Sequence, residues 1–284
     1  IRDRYQVYDI THLLRPGNNA LGIILGDGWF RGHIHAKRNQ YGDKVRAILQ
    51  LEVTYTDGSR EVIATDGSWK SCTGPILKSD FYHGEIYDAR LELTGWDKPG
   101  YTDTHWKGVL EQEVDKNILI ASETQPMRIT QSIRPVRKII TPRNETVIDF
   151  GQNITGWVSF SLKGKAGERI RLQFAETLNK EGNFFRENLR RARAEDEYIF
   201  KGEGMETYEP HFTFHGFRYM KIEEYNNEIR LEDFTGKVIH SDLSFNGQFS
   251  CSDTLVNQLF SNIRWSMRDN FIAVSYTHLT LPTT

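Results

Sequence analysis

The sequence predicts an all-β chain: two β-sandwich, jelly-roll-like domains followed by a single helix. Three observations lead there. Short runs with period-two apolar alternation recur along most of the chain, bounded by Gly, Asn, Asp or Pro. A weakly periodic stretch from Thr94 to Gln125 divides these runs into two sets. Helical spacing of apolar residues occurs once, after Ser252.

Taken in order, Ala20-Leu21-Gly22-Ile23-Ile24-Leu25 follows the turn residues Arg15-Pro16-Gly17-Asn18 and is expected as a buried strand. Val45 to Tyr55 places Ala47, Leu49, Leu51, Val53 and Tyr55 on one face. It runs through Thr56-Asp57-Gly58-Ser59 into Val62-Ile63-Ala64, and an Asp-Gly between two such runs is a strong hairpin signal. In the second set, Thr146 to Phe150 leads to an expected turn at Gly151-Gln152-Asn153. Val158, Phe160 and Leu162 then alternate with Trp157, Ser159 and Ser161, and Ile170, Leu172 and Phe174 alternate with Arg169, Arg171 and Gln173. Phe212 and Phe214 continue into Phe217 and Tyr219 across an expected bulge at Gly216. Leu255, Val256, Leu259, Phe260, Ile263 and Met267 repeat with helical spacing, and Ser252 or Asp253 can cap the first turn. One amphipathic helix beside two sandwiches reads as the first helix of a further domain.

Composition narrows the function classes. With 38% apolar and 26% charged residues the chain can build packed cores. A net charge of −2 gives no electrostatic case for nucleic acid or an anionic membrane surface. No apolar run is long enough to span a bilayer. Cys72 and Cys251 form no metal or CxxC pattern and are expected as buried free thiols. No phosphate loop with Lys, no GxSxG elbow and no zinc spacing occurs.

The segment Gly26-Asp27-Gly28-Trp29-Phe30-Arg31-Gly32 carries most of the functional interest. Its three glycines allow sharp turns or a close approach of backbone. Asp27 beside Trp29 offers a carboxylate next to an aromatic face, the pairing that sugar hydroxyls and a C–H face require. Asp27, Trp29 and Arg31 are therefore the candidate carbohydrate-binding residues. A hard-oxygen Ca²⁺ site could draw on Asp27, Asn39, Glu85 and Asp88, although no motif requires a cofactor. The plainer reading packs Trp29 in the core and uses the glycines for a bulge. His33 and His35 share a face if they lie on a strand, but no third ligand follows. Glu176, Glu187 and the run Glu195-Asp196-Glu197 are expected as a solvated face or as ion pairs with Arg190, Arg191 and Arg193 rather than as an acid/base pair. No catalytic residue is assigned.

Several motifs, in order, resemble one family. Tyr8-Asp9-Ile10-Thr11, Leu14 to Gly22, Leu25 to Gly32 and Gly84 to Arg90 are similar to the amino-terminal module of bacterial α-L-rhamnosidases (glycoside hydrolase family 78). Asp149 to Val158, Glu187-Asn188-Leu189-Arg190, Tyr208-Glu209-Pro210 and Phe212 to Tyr219 resemble its next, concanavalin-like module. His240-Ser241-Asp242-Leu243 and Phe249 to Phe271 resemble the entry into the catalytic α/α barrel. The resemblance implies domains at 1–115 and 116–247, with 248–273 as the first helix of a truncated barrel. It implies an inverting enzyme that removes terminal α-L-rhamnose. Such chemistry needs a protonated carboxyl and a water-activating carboxylate roughly 6.5–9.5 Å apart. The family's acidic motif falls beyond the residues matching Asn270-Phe271-Ile272, so the expected partners are a rhamnose-containing carbohydrate and the missing barrel. Further strands are expected ahead of Tyr5, so the first sheet reads as incomplete. Some family members bind rhamnose through calcium in a module of this kind. A rhamnose-binding module and purely structural support remain the alternative readings. Val274-Ser275-Tyr276-Thr277-His278-Leu279 reads as a translated transposase-tagging sequencing adapter, which makes 274–284 an expected artefact.

Overall fold

The computed structural model describes residues 3–122 and 125–272. The adapter-like tail lies outside the described residues. The strands are β1 (Asp3–Tyr5), β2 (His33–Ile34), β3 (Lys37–Arg38), β4 (Gln50–Thr54), β5 (Arg60–Ala64), β6 (Lys70–Ser71), β7 (Ile76–Asp80), β8 (Gly84–Asp88), β9 (Lys107–Gly108) and β10 (Leu119–Ala121). They continue with β11 (Met127–Ile133), β12 (Arg137–Ile140), β13 (Thr146–Lys163), β14 (Arg169–Ala175), β15 (Glu195–Ile199), β16 (Met205–Tyr208), β17 (His215–Glu223) and β18 (Phe234–Ser241). A one-turn helix, α1, spans Gly28–Arg31, and a long helix, α2, spans Thr254–Asn270.

The fold is all-β and sandwich-like with one long helix, as the sequence predicts. Its centre is a ten-stranded sheet in the order β11-β18-β13-β17-β14-β15-β8-β7, with β12 and β16 also paired to β13. The 18-residue β13 makes this sheet curl. Its first part lies between β12 and β17, and its later part pairs with β18 and β16. A strand that changes partners along its length turns a corner between two layers and closes a core. Alternation supplies that core: Val158, Phe160 and Leu162 from β13, and Ile170, Leu172 and Phe174 from β14, are all buried against Phe217 and Phe234. Burying each such side chain contributes about 1.5–3 kcal/mol.

The expected turn at Gly151-Gln152-Asn153 is instead a bulge within β13. Asp149 pairs with Tyr219 and Ile154 with Phe217, so four residues of β13 lie opposite one of β17. The bulge expected at Gly216 is therefore on the partner strand, and Gly216 itself pairs regularly with Thr155. Gly151 accommodates the kink at φ 76°.

In the N-terminal half the hairpin β4–β5 forms with Gly58 at φ 84°, and Leu51 and Val53 lie on its more buried face. The pairs β2–β3 and β6–β9 are shorter, two residues to a strand, and β1 runs parallel to β10. Ala20 to Leu25 does not form the expected buried strand: Leu21, Ile24 and Leu25 are exposed, and Gly22 lies so close to the Trp96 ring that a side chain would collide with it. His33 and His35 do not share a strand face, because His35 occupies a turn at φ 59° after β2. Cys72 and Cys251 are exposed rather than buried, the first just past the edge of β6 and the second ahead of α2. The hairpin β7–β8 completes the large sheet, with β8 running parallel to β15.

Helix α2 starts where the sequence predicts. The Asp253 side chain accepts hydrogen bonds from the N–H groups of Leu255 and Val256 and caps the first turn. The helix packs on β13 and β18.

Candidate functional site

The glycine-rich turn forms α1, and its first residue is held from outside. Ser79 Oγ accepts the Asp27 N–H at 2.9 Å, fixing the turn to β7. The Asp27 side chain is buried, and its two oxygens accept from Arg31 Nε and, at 3.4 Å, from an Arg38 guanidinium nitrogen. Gly32 is required by space: a Cβ there would sit 2.3 Å from the Gly28 carbonyl oxygen. Asn39 is tied to the same turn, its N–H donating to the Arg31 carbonyl at 3.2 Å. The turn thus ties Asp27 to the Arg31 side chain and Asn39 to the Arg31 carbonyl.

Trp29 does not pack in the core. It is 45% exposed, with its ring 5.1 Å from Phe81 and 5.3 Å from Tyr82. Beneath this aromatic patch Asp80 is buried and accepts from the His33 ring and N–H at 2.7 Å each, and from the N–H groups of Tyr82 and His83. Burial pushes the Asp80 carboxyl up, but the His33 ring and these backbone donors outweigh it and hold it below the usual carboxylate range.

Glu85 and Asp88 are directed to other partners. Glu85 is fully buried and accepts from Tyr208 Oη, His211 N–H and the His211 ring at 3.0 Å each, and from the Phe212 N–H at 3.2 Å. Asp88 is paired bidentately with Arg90 at 2.8 and 2.9 Å and also caps the following helical turn. Asp27, Asn39, Glu85 and Asp88 therefore do not fit a calcium cage. Each carboxylate already meets cations or N–H donors, and no group of three or more His, Cys, Asp or Glu able to hold a metal occurs among the described residues.

The acidic run is also absorbed by pairing, though with a partly different set of arginines. Glu197 meets Arg169 at 2.9 Å and Arg171 at 3.4 Å across the β14–β15 ladder. Glu195 meets Arg193 and Arg186, and buried Asp196 accepts from the Glu85 N–H at 3.0 Å and faces the His215 ring at 3.1 Å.

A second polar site lies at the seam between β13 and α2. Asp269 Oδ1 accepts the Thr155 N–H at 3.0 Å, and Thr155 Oγ1 donates to the Asp269 carbonyl at 2.8 Å. Beside this clamp is a cavity of about 440 Å³ lined by Asn153, Glu176, Asn262, Trp265 and Asp269. The Asp269 carboxyl is pushed up to about 6 by burial and by the nearby Glu176 charge, against the opposing Thr155 N–H.

Comparison with known proteins places these features. Residues 2–131 match the family model of the alpha-L-rhamnosidase N-terminal domain, and residues 139–240 match that of the bacterial alpha-L-rhamnosidase concanavalin-like domain. The chain belongs to the bacterial α-L-rhamnosidase family. An alpha-L-rhamnosidase of Streptomyces avermitilis is 40% identical over 96% of this chain, and one of an Alteromonas species is 34% identical over 94%. The chain spans 27% and 30% of the lengths of these two relatives. Among solved structures, the native α-L-rhamnosidase of Aspergillus terreus matches with a TM-score of 0.89 at 37% identity, over 95% of this chain and 32% of that one. The S. avermitilis enzyme complexed with L-rhamnose matches with a TM-score of 0.88 at 37% identity, over 96% of this chain and 27% of that one.

For this α-L-rhamnosidase-family chain, sequence reasoning located the Asp27 turn but missed the Asp269–Thr155 clamp and the Glu85 anchor. Asp269 had one visible signal: an acid in the last turn of a helix, where the macrodipole disfavours negative charge. Glu85 had none, because its partners lie more than 120 residues away.

Proposed function

We propose that this chain is the non-catalytic front portion of an inverting α-L-rhamnosidase acting on terminal α-L-rhamnose in glycans or glycosides. Its modules, at 1–115 and 116–247, carry and position a catalytic α/α barrel whose first helix is α2. One observation carries the reading. α2 is clamped to the sheet through Asp269 and Thr155, yet Leu255, Leu259, Ile263 and Met267 on its apolar stripe are 79, 58, 48 and 42% exposed. A helix anchored on one side with an uncovered apolar stripe on another is built to receive further helices. The carboxylates at the Asp27 turn and in the acidic run are engaged by arginines, the His215 ring and a backbone N–H, which is a structural use of charge rather than acid/base work. The test is a chimera in which residues 3–272 replace the matching segment of the S. avermitilis enzyme. Retained turnover of an aryl α-L-rhamnoside supports the reading; a folded chimera without turnover overturns it.

A second reading is favoured by the exposed Trp29 ring. In it, Trp29 stacks against the C–H face of a rhamnose unit, Arg31 donates to its hydroxyls, and buried Asp27 orients Arg31 rather than touching sugar. Calorimetric titration with L-rhamnose tests it: binding that Trp29→Ala removes supports it, and absence of heat with the unsubstituted chain rejects it.

A further inference from the structure

Between the sheet-facing side of α2 and its exposed stripe, Arg264 and Arg268 stand about one turn apart. The Arg264 guanidinium lies 4.5 Å from the Phe245 ring centroid and 5.9 Å from that of Phe260. The Arg268 guanidinium lies 5.1 Å from Phe245 and 5.0 Å from Trp265. Together they wall a cavity of about 300 Å³ that Gln248, Phe249 and Ser261 also line. The Nε atoms of both arginines are buried and have no hydrogen-bond partner among the described residues. Arg186 also has an unpartnered Nε, but its guanidinium meets Glu195 at 3.9 Å. Neither Arg264 nor Arg268 forms an ion pair among the described residues, although the Asp269 carboxyl, clamped to Thr155, feels the Arg268 charge. Aromatic faces attract a guanidinium but offer its N–H groups no lone pair in the plane of the fork. Two adjacent cations held this way lack an acceptor that a carboxylate supplies with matching geometry.

We propose that Arg264 and Arg268 form a carboxylate clamp that receives acidic side chains of a helix packed along the apolar stripe of α2. The expectation that helices cover α2 rests on the proposed function; the carboxylate chemistry of the clamp stands on the two arginines alone. Two features select a helix as the source of the carboxylates. The clamp borders the apolar face of α2 at Phe260, which lines the same cavity, and lies beside Phe249, which is 48% exposed. The two guanidiniums are four residues apart, and acids at i and i+4 of a facing helix repeat at the same interval along the axis.

The test is an NMR titration of the arginine Nε–H resonances of the 284-residue chain. Two probes are synthetic amphipathic peptides with Leu at i, i+3 and i+7, one carrying a Glu pair at i+4 and i+8, which flank the Leu face, and the other Gln at both positions. The Glu peptide is expected to shift both resonances and to bind at least tenfold tighter than the Gln peptide. The double variant Arg264→Gln/Arg268→Gln, with α2 still helical by circular dichroism, is expected to abolish that preference. Equal affinity of the two peptides overturns the clamp, as does a preference that survives in the double variant. Saturation by sodium glucuronate more tightly than by the Glu peptide overturns the helix assignment and gives the site to an acidic sugar. The titration needs no turnover, so its failure and that of the chimera are read separately.

Discussion

Replacing Glu85 by Ala probes how β7–β8 is held to the large sheet. The carboxylate is fully buried and accepts from Tyr208 Oη, the His211 and Phe212 N–H groups and the His211 ring. Ala leaves the buried Tyr208 hydroxyl and two backbone N–H groups without an acceptor, at about 1–3 kcal/mol for each group that water cannot reach. His211 is 39% exposed, so water rescues part of its share. The net expectation is about 4 kcal/mol, in the range seen when one partner of a buried charged network is removed. With a urea slope of about 3 kcal/mol/M, the midpoint falls by roughly 1.3 M. Glu85→Gln keeps one acceptor oxygen and should lose about half as much. The assay is urea unfolding followed by tryptophan fluorescence and far-UV circular dichroism. A loss below about 1 kcal/mol for Glu85→Ala would show that no buried acceptor network depends on this residue. Calcium adds a control: a resident site would raise the midpoint with added ion, whereas 10 mM Ca²⁺ is here expected to leave it unchanged, 10 mM being about the level that would reveal a millimolar site.

Three further outcomes are expected. Gly84→Ala should cost about 3 kcal/mol or prevent folding, since Gly84 has φ 84° and a Cβ would sit 1.8 Å from the Glu195 carbonyl oxygen; unchanged unfolding curves would contradict the close approach of β8 to β15. The Asp269 carboxyl has its folded value raised to about 6, so the folded protein holds the proton longer than the unfolded chain and stability falls as pH rises from the ordinary aspartate value toward 6. Allowing for partial exposure, this amounts to roughly 1–2 kcal/mol, and Asp269→Asn should flatten that part of a pH–stability curve. Hydrogen bonding to Glu85 raises His211 above its usual value despite opposing burial, so its contribution is complete below the unfolded histidine value and is lost as pH rises through the folded one; a Glu85→Gln variant with the same alkaline slope would argue against it.

Much of the sheet was legible because alternation and burial share a period. The runs ending in Leu162 and Phe174 pointed inward as read, and the Asp57-Gly58 hairpin and the Asp253 cap followed from local chemistry. What could not be read depended on distant partners. The bulge between Asp149 and Ile154 looked like a turn, since a kinked strand and a chain reversal use the same Gly-Gln-Asn residues. Ala20 to Leu25 is apolar enough for a buried strand, but strand formation needs a paired neighbour and none occurs among the described residues. At the candidate site, Asp27, Trp29 and Arg31 share one turn, and only the structure assigns Asp27 to Arg31 and Arg38. The residue types of Asp27, Asn39, Glu85 and Asp88 suit calcium, but type alone cannot tell an open oxygen from one already bonded.

The proposed support role requires that this chain not hydrolyse rhamnosides itself. Incubating the purified 284-residue chain with p-nitrophenyl α-L-rhamnopyranoside tests this most directly. Release of nitrophenol at the buffer rate is expected. Faster release that is abolished by Glu176→Gln or Asp269→Asn, the carboxyl groups at the seam cavity, would contradict it.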